Sequence, residues 1–384
     1  MVILVLIIFL LLFLRKIKTG DKTLGIIMML YLCLYIIFLI FFWKYTAITL
    51  RWELGISGSD MLQYFNVARF IASGGSPVII YDYFKDQTIG YILFVYYLVL
   101  CLMWPISLVS QFGVISFYLS NILLLMLSGY NLYDYLVAKG FRKKTSTIAI
   151  MIYLGNISLI FTACRLLRDS WILFLFSAFL LNLVDRKKKG SMLISLICML
   201  VSIILRSYTV FFFIPFLLLE RDSIKRSNFY FLMAILIGGI LLYGANIVDH
   251  FYTSGYQTDV LTLLNGASRF LLSPDIVDSV KGMLVTANYS NEYGYSPVIY
   301  LLLSVWNAVF IPIGFIGLFN NKDKKGLKYV SFLIILSFSF IFSFLYFGTN
   351  EPRHKLMVIL PLIILISMGI DNIRIISRVF SKDL

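Results

Sequence analysis

The chain carries little charge for its length. Aspartate, glutamate, lysine and arginine make up 14% of its 384 residues, whereas a typical soluble domain has about 25%. Hydrophobic residues make up 60%, and apolar stretches near the ~18 residues that span a bilayer recur from one end to the other. These features exclude an ordinary soluble domain and predict an all-α, polytopic membrane helix bundle.

The sequence also lacks the common catalytic and metal-binding patterns. The two histidines, His250 and His354, are far apart, which excludes a His-rich metal site. The four cysteines lack the paired spacing of a zinc site or a disulfide framework. No glycine-rich phosphate loop, nucleophile elbow or nucleophile–histidine–acid set is present. These absences exclude the usual soluble nucleotide-binding and hydrolase folds.

No linker, low-complexity tract or internal repeat divides the chain, so residues 1–384 are predicted to form a single integral membrane domain. The first residues lack the basic start and the small-residue cleavage site of a signal peptide, and we expect a first membrane helix there. Eleven segments are candidate membrane helices: 1–14, 24–43, 112–133, 147–163, 170–184, 191–205, 208–219, 228–247, 297–319, 328–347 and 355–370.

Basic residues outnumber acidic ones, and the formal net charge is +14. The basic clusters are short and fall between apolar helices, which is the positive-inside pattern of membrane proteins, so we expect no nucleic-acid partner. If the basic loops are cytoplasmic, the N-terminus is outside and the C-terminus is cytoplasmic. The following loops, with the C-terminal tail, hold 22 of the 33 lysines and arginines: 15–23, 139–146, 185–190, 220–227 and 320–328.

This topology places two large regions outside the membrane, about 44–110 and 248–296. Residue usage rich in isoleucine, phenylalanine, lysine and tyrosine fits a bacterial inner membrane. An odd number of crossings must separate the first outer region from the next cytoplasmic loop, so segments 89–109 and 112–133 cannot both span. Segment 89–109 is therefore predicted to lie in the outer interface, or to enter the membrane and return.

The first outer region contains a polar, glycine-bearing stretch between long apolar helices, Glu53–Asp86. Asp60 lies in it, within SDMLQYFNVARFIASGG. One local role for Asp60 is that of a helix N-cap, although a carboxylate at a helix start also stays open to a substrate. Glu53 is seven residues upstream, so the sequence does not indicate a two-carboxylate metal site here.

Ionisable residues also lie at the predicted outer ends of membrane helices, where they form a functional-site hypothesis. Arg165 and Arg168 are three residues apart and would share a helix face, so their guanidiniums are candidates for a phosphate clamp. A simpler role for Arg168 and Asp169 is an ion pair that caps the following helix. Both readings stay open.

Arg206 stands alone between two short apolar runs. Snorkelling to the interface is the ordinary explanation for such a residue. Helices this short would place Arg206 below the membrane surface, where it needs an anionic partner. Near the C-terminus, Arg353, His354 and Lys355 have two possible roles. They anchor the last helix at the membrane boundary, or they take part in function.

The order of these residues resembles the C-type (GT-C) superfamily of polyprenol-phosphate-dependent integral membrane glycosyltransferases. In that superfamily an acidic residue in the first outer loop precedes a tyrosine and an alanine-containing helix, as Asp60, Tyr64 and Ala68 do here. A second acidic residue follows a later outer turn, and Asp169 stands at that place. The superfamily also has a basic residue followed by an apolar run and a proline. This chain has that pattern twice, in Arg206–Pro215 and in Arg353–Pro361.

The resemblance implies a GT-C-like enzyme that transfers a sugar from a polyprenyl-phosphate-linked donor to a cell-envelope glycan or lipid acceptor at the outer face. It implies that Asp60 is the general base and that Asp169 orients the acceptor or an arginine. The implied donor-phosphate ligands are Arg168, Arg206, Arg353 and Lys355, and the implied acceptor-groove residues are Tyr64, Glu53, Arg165 and His354. The superfamily often has two close carboxylates in the first loop, whereas this chain clearly shows only Asp60 there. Whether a divalent metal is required therefore stays an open question.

Two other functions fit the same topology. A Wzy-like oligosaccharide repeat-unit polymerase also acts at the outer face, and its outer loops are typically rich in arginine without a carboxylate base. A lipid-linked glycan transporter or flippase would show inverted repeats and polar residues in the middle of the membrane. The sequence shows no such repeat.

Overall fold

The computed structural model describes most of the chain as helices joined by turns. No strand occurs in the described residues, so the all-α prediction is confirmed for them, and several helices are apolar enough to cross a membrane. The described residues are 2–49, 59–80, 89–102, 110–165, 167–184, 190–221, 229–230, 232–234, 236–238, 260–272, 297–319, 324–346 and 355–380.

The helices follow most of the predicted apolar segments, apart from an added helix in each outer region. The predicted segment 228–247 lies mostly outside the described residues. The first half contains α1 (Val2–Thr19), α2 (Lys22–Thr49), α3 (Ser59–Ala72), α4 (Ile89–Leu102), α5 (Ser110–Ala138), α6 (Lys143–Leu154) and α7 (Ile157–Ala163). The second half contains α8 (Asp169–Val184), α9 (Ser191–Leu205), α10 (Val210–Leu219), α11 (Val260–Leu272), α12 (Pro297–Ile316), α13 (Lys325–Tyr346) and α14 (Leu356–Phe380).

Within the described residues, five helices are long and apolar enough to cross a bilayer, namely α2, α5, α12, α13 and α14. The bent pair α6 and α7 would make a sixth. Helices α8, α9 and α10 are apolar but shorter, and α10 has only 10 residues. At 1.5 Å per residue α10 covers about 15 Å, half of a bilayer's apolar core. The number of eleven crossings stays a prediction.

Segment 147–163, predicted as one membrane segment, consists of two helices in the structure. Helix α6 ends at Leu154, and α7 starts at Ile157 after a bend of 57°. The Asn156 side chain accepts a hydrogen bond from the Ser158 backbone N–H at 2.9 Å and so caps α7. Asparagine competes with helix continuation by this local bond, which apolar periodicity does not reveal.

Helices α5 and α14 form the interior of the bundle. In each of these two helices 83% of the candidate membrane span is buried, whereas 28% of the span in α2 is buried. Helix α5 packs against α1, α4, α6 and α8, and α14 packs against α6, α12 and α13. Much of the surface of α2 is therefore left to contact lipid.

Helices α5 and α8 run in the same direction. Hydrogen bonds join α5 to α8 and to the turn before α8 in the same order along both. They run from Asn121 to Leu167, from Ser128 to Leu173 and from Asn131 to Ser177. At the C-terminal end of α5 lie three polar contacts, Lys16–Asp134, Lys139–Glu220 and Thr145–Asp371. We call this end of the bundle the basic end, and the opposite end, where α8 begins, the site end. Which end faces the cytoplasm stays a prediction.

Helix α4 occupies the stretch predicted to enter the membrane partially. The Phe94 ring lies 5.5 Å from that of Phe117, and the Tyr97 hydroxyl donates to Ser120 Oγ at 3.2 Å. This order is expected of helices that run in the same direction, and it fits a chain that enters and returns before α5. The return would fall in residues 103–109, outside the described residues, so re-entry stays a prediction.

Helices α12 and α14 approach each other through glycines. A Cβ atom at Gly317 would lie 2.1 Å from the Leu365 carbonyl oxygen, and one at Gly369 would lie 1.9 Å from the Ile313 carbonyl oxygen. Because both neighbouring atoms belong to the backbone, only glycine permits this spacing. Small residues serve the same purpose at many membrane helix interfaces.

The substitution Gly369→Ala is expected to lower the melting temperature of the purified protein in detergent, because the two backbones must move apart. Overpacking of this kind costs about 1–3 kcal/mol. The matched control is Gly238→Ala, since a Cβ there meets nothing within 4 Å. Equal melting temperatures for the two variants would contradict the close approach of α12 and α14.

Candidate functional site

A buried ion pair lies at the site end of the bundle. Asp169 is the first residue of α8 and is fully buried. Arg206 follows α9 in an extended conformation, and its Nη2 atom lies 2.9 Å from Asp169 Oδ1. Removing a charge from water costs several kcal/mol, so each of these ions depends on the other. The anionic partner expected for Arg206 is therefore Asp169.

Two further arginines are buried beside this pair. The side chains of Arg165 and Arg168 are only 3% and 5% exposed. Arg168 Nη1 donates to the Leu205 carbonyl oxygen at 2.6 Å, which satisfies a carbonyl group at the C-terminus of α9. The Arg165 guanidinium lies 4.6 Å from the centre of the Phe161 ring. Arg165 and Arg168 lie in the turn between α7 and α8, so they do not share a helix face as predicted, because α7 ends at Ala163 and α8 begins at Asp169. Helices α9 and α7 help to position the two side chains.

Asn121 on α5 holds the turn that carries these arginines. Its amide nitrogen donates to the carbonyl oxygens of Arg165 and Leu167, at 3.1 and 3.2 Å. The sequence reasoning did not single out Asn121. An amide within a mostly apolar stretch of a helix was the available signal, because such a group must find a partner inside the bundle.

The described part of the cluster has an excess of positive charge. It contains the guanidiniums of Arg165, Arg168 and Arg206 and one carboxylate, that of Asp169. Neither carboxylate oxygen accepts a hydrogen bond of normal geometry from a described residue. Arginine forks suit phosphate and carboxylate groups, so the cluster is suited to an anionic ligand.

Tyr208 extends the cluster towards α13. Its hydroxyl accepts a hydrogen bond from Arg206 Nη1, and its ring centre lies 5.6 Å from the guanidinium. The same ring lies 5.5 Å from the ring of Phe342, which stacks on Phe270 of α11 at 5.2 Å. Sequence reasoning did not single out Tyr208, although its position two residues after Arg206 was a usable signal.

A chain of aromatic contacts connects α3 with the start of α8. Tyr64 is buried, and its ring lies 5.4 Å from that of Phe94. One turn later on α4, the Tyr97 ring lies 5.0 Å from that of Trp171, two residues after Asp169. Asp60 lies in the first turn of α3, one turn before Tyr64. Its side chain is outside the described part of the structure.

Lys355 lies immediately before α14 and donates to the Leu271 carbonyl oxygen at 3.2 Å. It lines a cavity of about 250 Å³ between α12, α13 and α14. Glu53, Arg353 and His354 lie outside the described residues, so their predicted roles stay predictions. No group of three His, Cys, Asp or Glu side chains in the described part of the chain is arranged to hold a metal ion.

Removing one of the two charges of the buried ion pair is expected to destabilise the protein strongly. Asp169→Leu and Arg206→Met should each cost about 3–5 kcal/mol, whereas the double variant should recover much of the loss, because no charge is left buried alone. Unfolding in sodium dodecyl sulfate, followed by circular dichroism, measures the change.

The matched control is Lys16→Met. Lys16 pairs with Asp134, and the side chains of the two residues are 33% and 40% exposed. Its expected cost is under about 1 kcal/mol. Purely additive effects of Asp169→Leu and Arg206→Met would contradict the coupling of the two side chains.

Comparison of the chain with models of protein families, with characterised proteins and with solved structures gave no significant match. The chemistry of the buried cluster and its position are therefore the observations that bear on function. That cluster consists of Arg165, Arg168, Asp169 and Arg206 at the site end of an apolar helix bundle.

Proposed function

We propose that this chain is a membrane glycosyltransferase with a GT-C-like bundle. It transfers a sugar from a polyprenyl-phosphate-linked donor to a cell-envelope glycan or lipid acceptor at the outer face of the membrane. The observation that carries the proposal is the buried Asp169–Arg206 pair with Arg165 and Arg168 beside it. Three guanidiniums held together within an apolar bundle suit a phosphate group on a lipid.

Sugar transfer from a lipid phosphate needs two kinds of help. The leaving phosphate gains negative charge as the glycosidic bond breaks, and guanidiniums held in place stabilise that charge. Arg168 and Arg206 serve in this role. Asp169 keeps Arg206 oriented through their 2.9 Å contact. These residues therefore act on the donor.

The acceptor hydroxyl must lose a proton as it attacks the sugar. Asp60 serves as the general base, and Tyr64, one turn later on the same helix, helps to place α3 through its contact with Phe94. The aromatic contacts from α3 through α4 to Trp171 support this role, because they link the helix of Asp60 to the helix of Asp169. The general base and the arginines that bind the phosphate thus lie on, or next to, helices that pack around α4.

The substitution Asp60→Asn is expected to lower transfer by at least about 100-fold, because general-base catalysis contributes 10²–10⁴. The assay uses purified protein in nanodiscs with a panel of radiolabelled polyprenyl-phosphate sugars. Asn66→Ala is the matched control, since Asn66 is an exposed residue of the same helix. Full transfer by the Asp60→Asn variant, at an unchanged melting temperature, would overturn the assignment of the base.

The three arginines gathered in the described part of the cluster also favour a second function, a Wzy-like repeat-unit polymerase. Under that alternative, Arg168→Lys should abolish activity while Asp60→Asn leaves it intact, since no carboxylate base is needed. Length analysis of the glycan products distinguishes the two, because a single-sugar transferase adds one residue and a polymerase yields a ladder.

A further inference from the structure

Three stretches of the chain that are far apart in sequence meet at the basic end of the bundle. They are residues 139–144, from the end of α5 into α6, residues 219–221, at the end of α10, and residues 324–328, at the start of α13. The three stretches contain four, one and three lysines or arginines. Their one carboxylate is that of Glu220, which pairs with Lys139 and so joins the first stretch to the second. We call the three stretches together the basic surface.

The third stretch contacts both of the others. The Lys324 ammonium lies 4.2 Å from the centre of the Phe141 ring, which holds the start of α13 against the turn before α6. A Cβ atom at Gly326 would lie 2.6 Å from Leu219 Cδ1, so the end of α10 and the start of α13 are in close contact. The basic surface is therefore one continuous part of the molecule.

The basic surface gathers more positive charge than membrane orientation requires. Orientation needs basic loops on one side of the membrane, but it does not need them to meet. Like charges that meet repel each other, and a bound anion relieves the repulsion. The nearby carboxylate of Asp371 on α14 accepts a hydrogen bond from Thr145 at 2.6 Å. Several of the basic side chains are exposed, namely Arg142, Lys143, Lys144, Arg221 and Lys325.

Helix α13 joins the basic surface to an apolar face of the bundle. Lys325, Tyr329, Phe332 and Leu336 are spaced by four, three and four residues, so they share one face of α13, and all four are exposed. The ammonium groups of Lys325 and Lys328 lie 5.9 and 5.1 Å from the centre of the Tyr329 ring. Cations, then a tyrosine, then apolar side chains is the order in which a helix passes from lipid headgroups into hydrocarbon. The basic surface is therefore at the depth of the headgroups.

We propose that the basic surface binds the headgroup of an anionic phospholipid, whose acyl chains lie against the exposed apolar face of α13. Basic pockets between membrane helices bind such headgroups. Positive charge selects the phosphate, and continuity with the apolar face favours a lipid over a soluble phosphate compound or an acidic protein. The bound headgroup holds the ends of α5, α10 and α13 together. This site lies at the opposite end of the bundle from the arginine cluster and does not depend on the proposed sugar transfer.

The test is binding of dioleoyl phosphatidylglycerol to the purified protein in detergent, measured by native mass spectrometry. The test variant carries three substitutions in the basic surface, Lys324→Gln, Lys325→Gln and Lys328→Gln. It is expected to weaken binding at least about tenfold, because each basic residue near a headgroup adds to the attraction.

A matched control removes the same amount of charge from the same end of the bundle. It carries three substitutions at exposed residues around the α1–α2 turn, Arg15→Gln, Lys18→Gln and Lys22→Gln. It should weaken binding less than about twofold, since it leaves the basic surface intact. Equal losses in the two variants would overturn the proposal, because only the overall charge of this end would then matter.

Arginine at the same three positions of α13 separates charge from structure. It keeps the cations and should retain binding, whereas a loss as large as that in the glutamine variant would overturn the proposal. If the glutamine variant does not fold, Lys325→Gln alone changes one exposed side chain and is expected to weaken binding at least about twofold. Undiminished binding by a glutamine variant that melts at the temperature of the natural protein would also overturn the proposal.

Three further probes identify the class of ligand. Dioleoyl phosphatidylcholine has no net charge and sn-glycerol 3-phosphate has no acyl chains, so each should bind at least about tenfold more weakly than phosphatidylglycerol. Equal binding of phosphatidylcholine would overturn the proposal, since charge would not be recognised. Equal binding of glycerol phosphate, or displacement of phosphatidylglycerol by poly-glutamate, would overturn it in favour of a soluble anion or an acidic protein.

Bound lipid should also stabilise the fold. Because a ligand that binds only the folded state raises its stability, phosphatidylglycerol is expected to raise the melting temperature of the delipidated natural protein. The rise should be smaller in the glutamine variant, which binds the lipid more weakly. An equal rise in the two proteins would contradict a site at the basic surface.

Discussion

The burial of charge inside an apolar bundle is the constraint on which this structure depends. Asp169 and Arg206 are brought together from the start of α8 and the end of α9, 2.9 Å apart and almost without exposure. Neither ion would be tolerated alone at that depth, since desolvation costs several kcal/mol for each. The short helices α8, α9 and α10 are what place the pair inside the bundle. A cluster kept there against such a cost is expected to serve function as well as folding.

Polar side chains inside the bundle bond mainly to backbone carbonyls that the helix ends leave open. Arg168 bonds to Leu205 at the end of α9, and Asn121 bonds to the turn before α8. Lys355 bonds to Leu271 in the last turn of α11. The C-terminus of each helix has carbonyl groups without a partner in its own helix. The broken, short helices at the site end thus supply the acceptors that keep cationic side chains within the bundle.

The apolar segments were predictable because hydropathy is a local property of the chain. Helix α9 has the bounds predicted for it, and α5 and α13 are close to theirs. The bend at Asn156 was not predictable in this way, because it depends on one side-chain bond to the Ser158 N–H. Asn121 and Tyr208 were missed for a related reason. Each gains its role from a partner on another helix or from the geometry of a turn, which no spacing rule encodes.

The sequence alone determined that the chain is a helical membrane protein and that its basic loops alternate with apolar segments. It also indicated that Arg165, Arg168, Asp169 and Arg206 lie at helix ends on one side. Only the tertiary structure decided which of these charges meet, because contact between residues 37 positions apart depends on how the helices pack. It joined Arg206 to Asp169, placed Arg168 on the end of α9, and set Lys355 at the wall of a cavity between α12, α13 and α14.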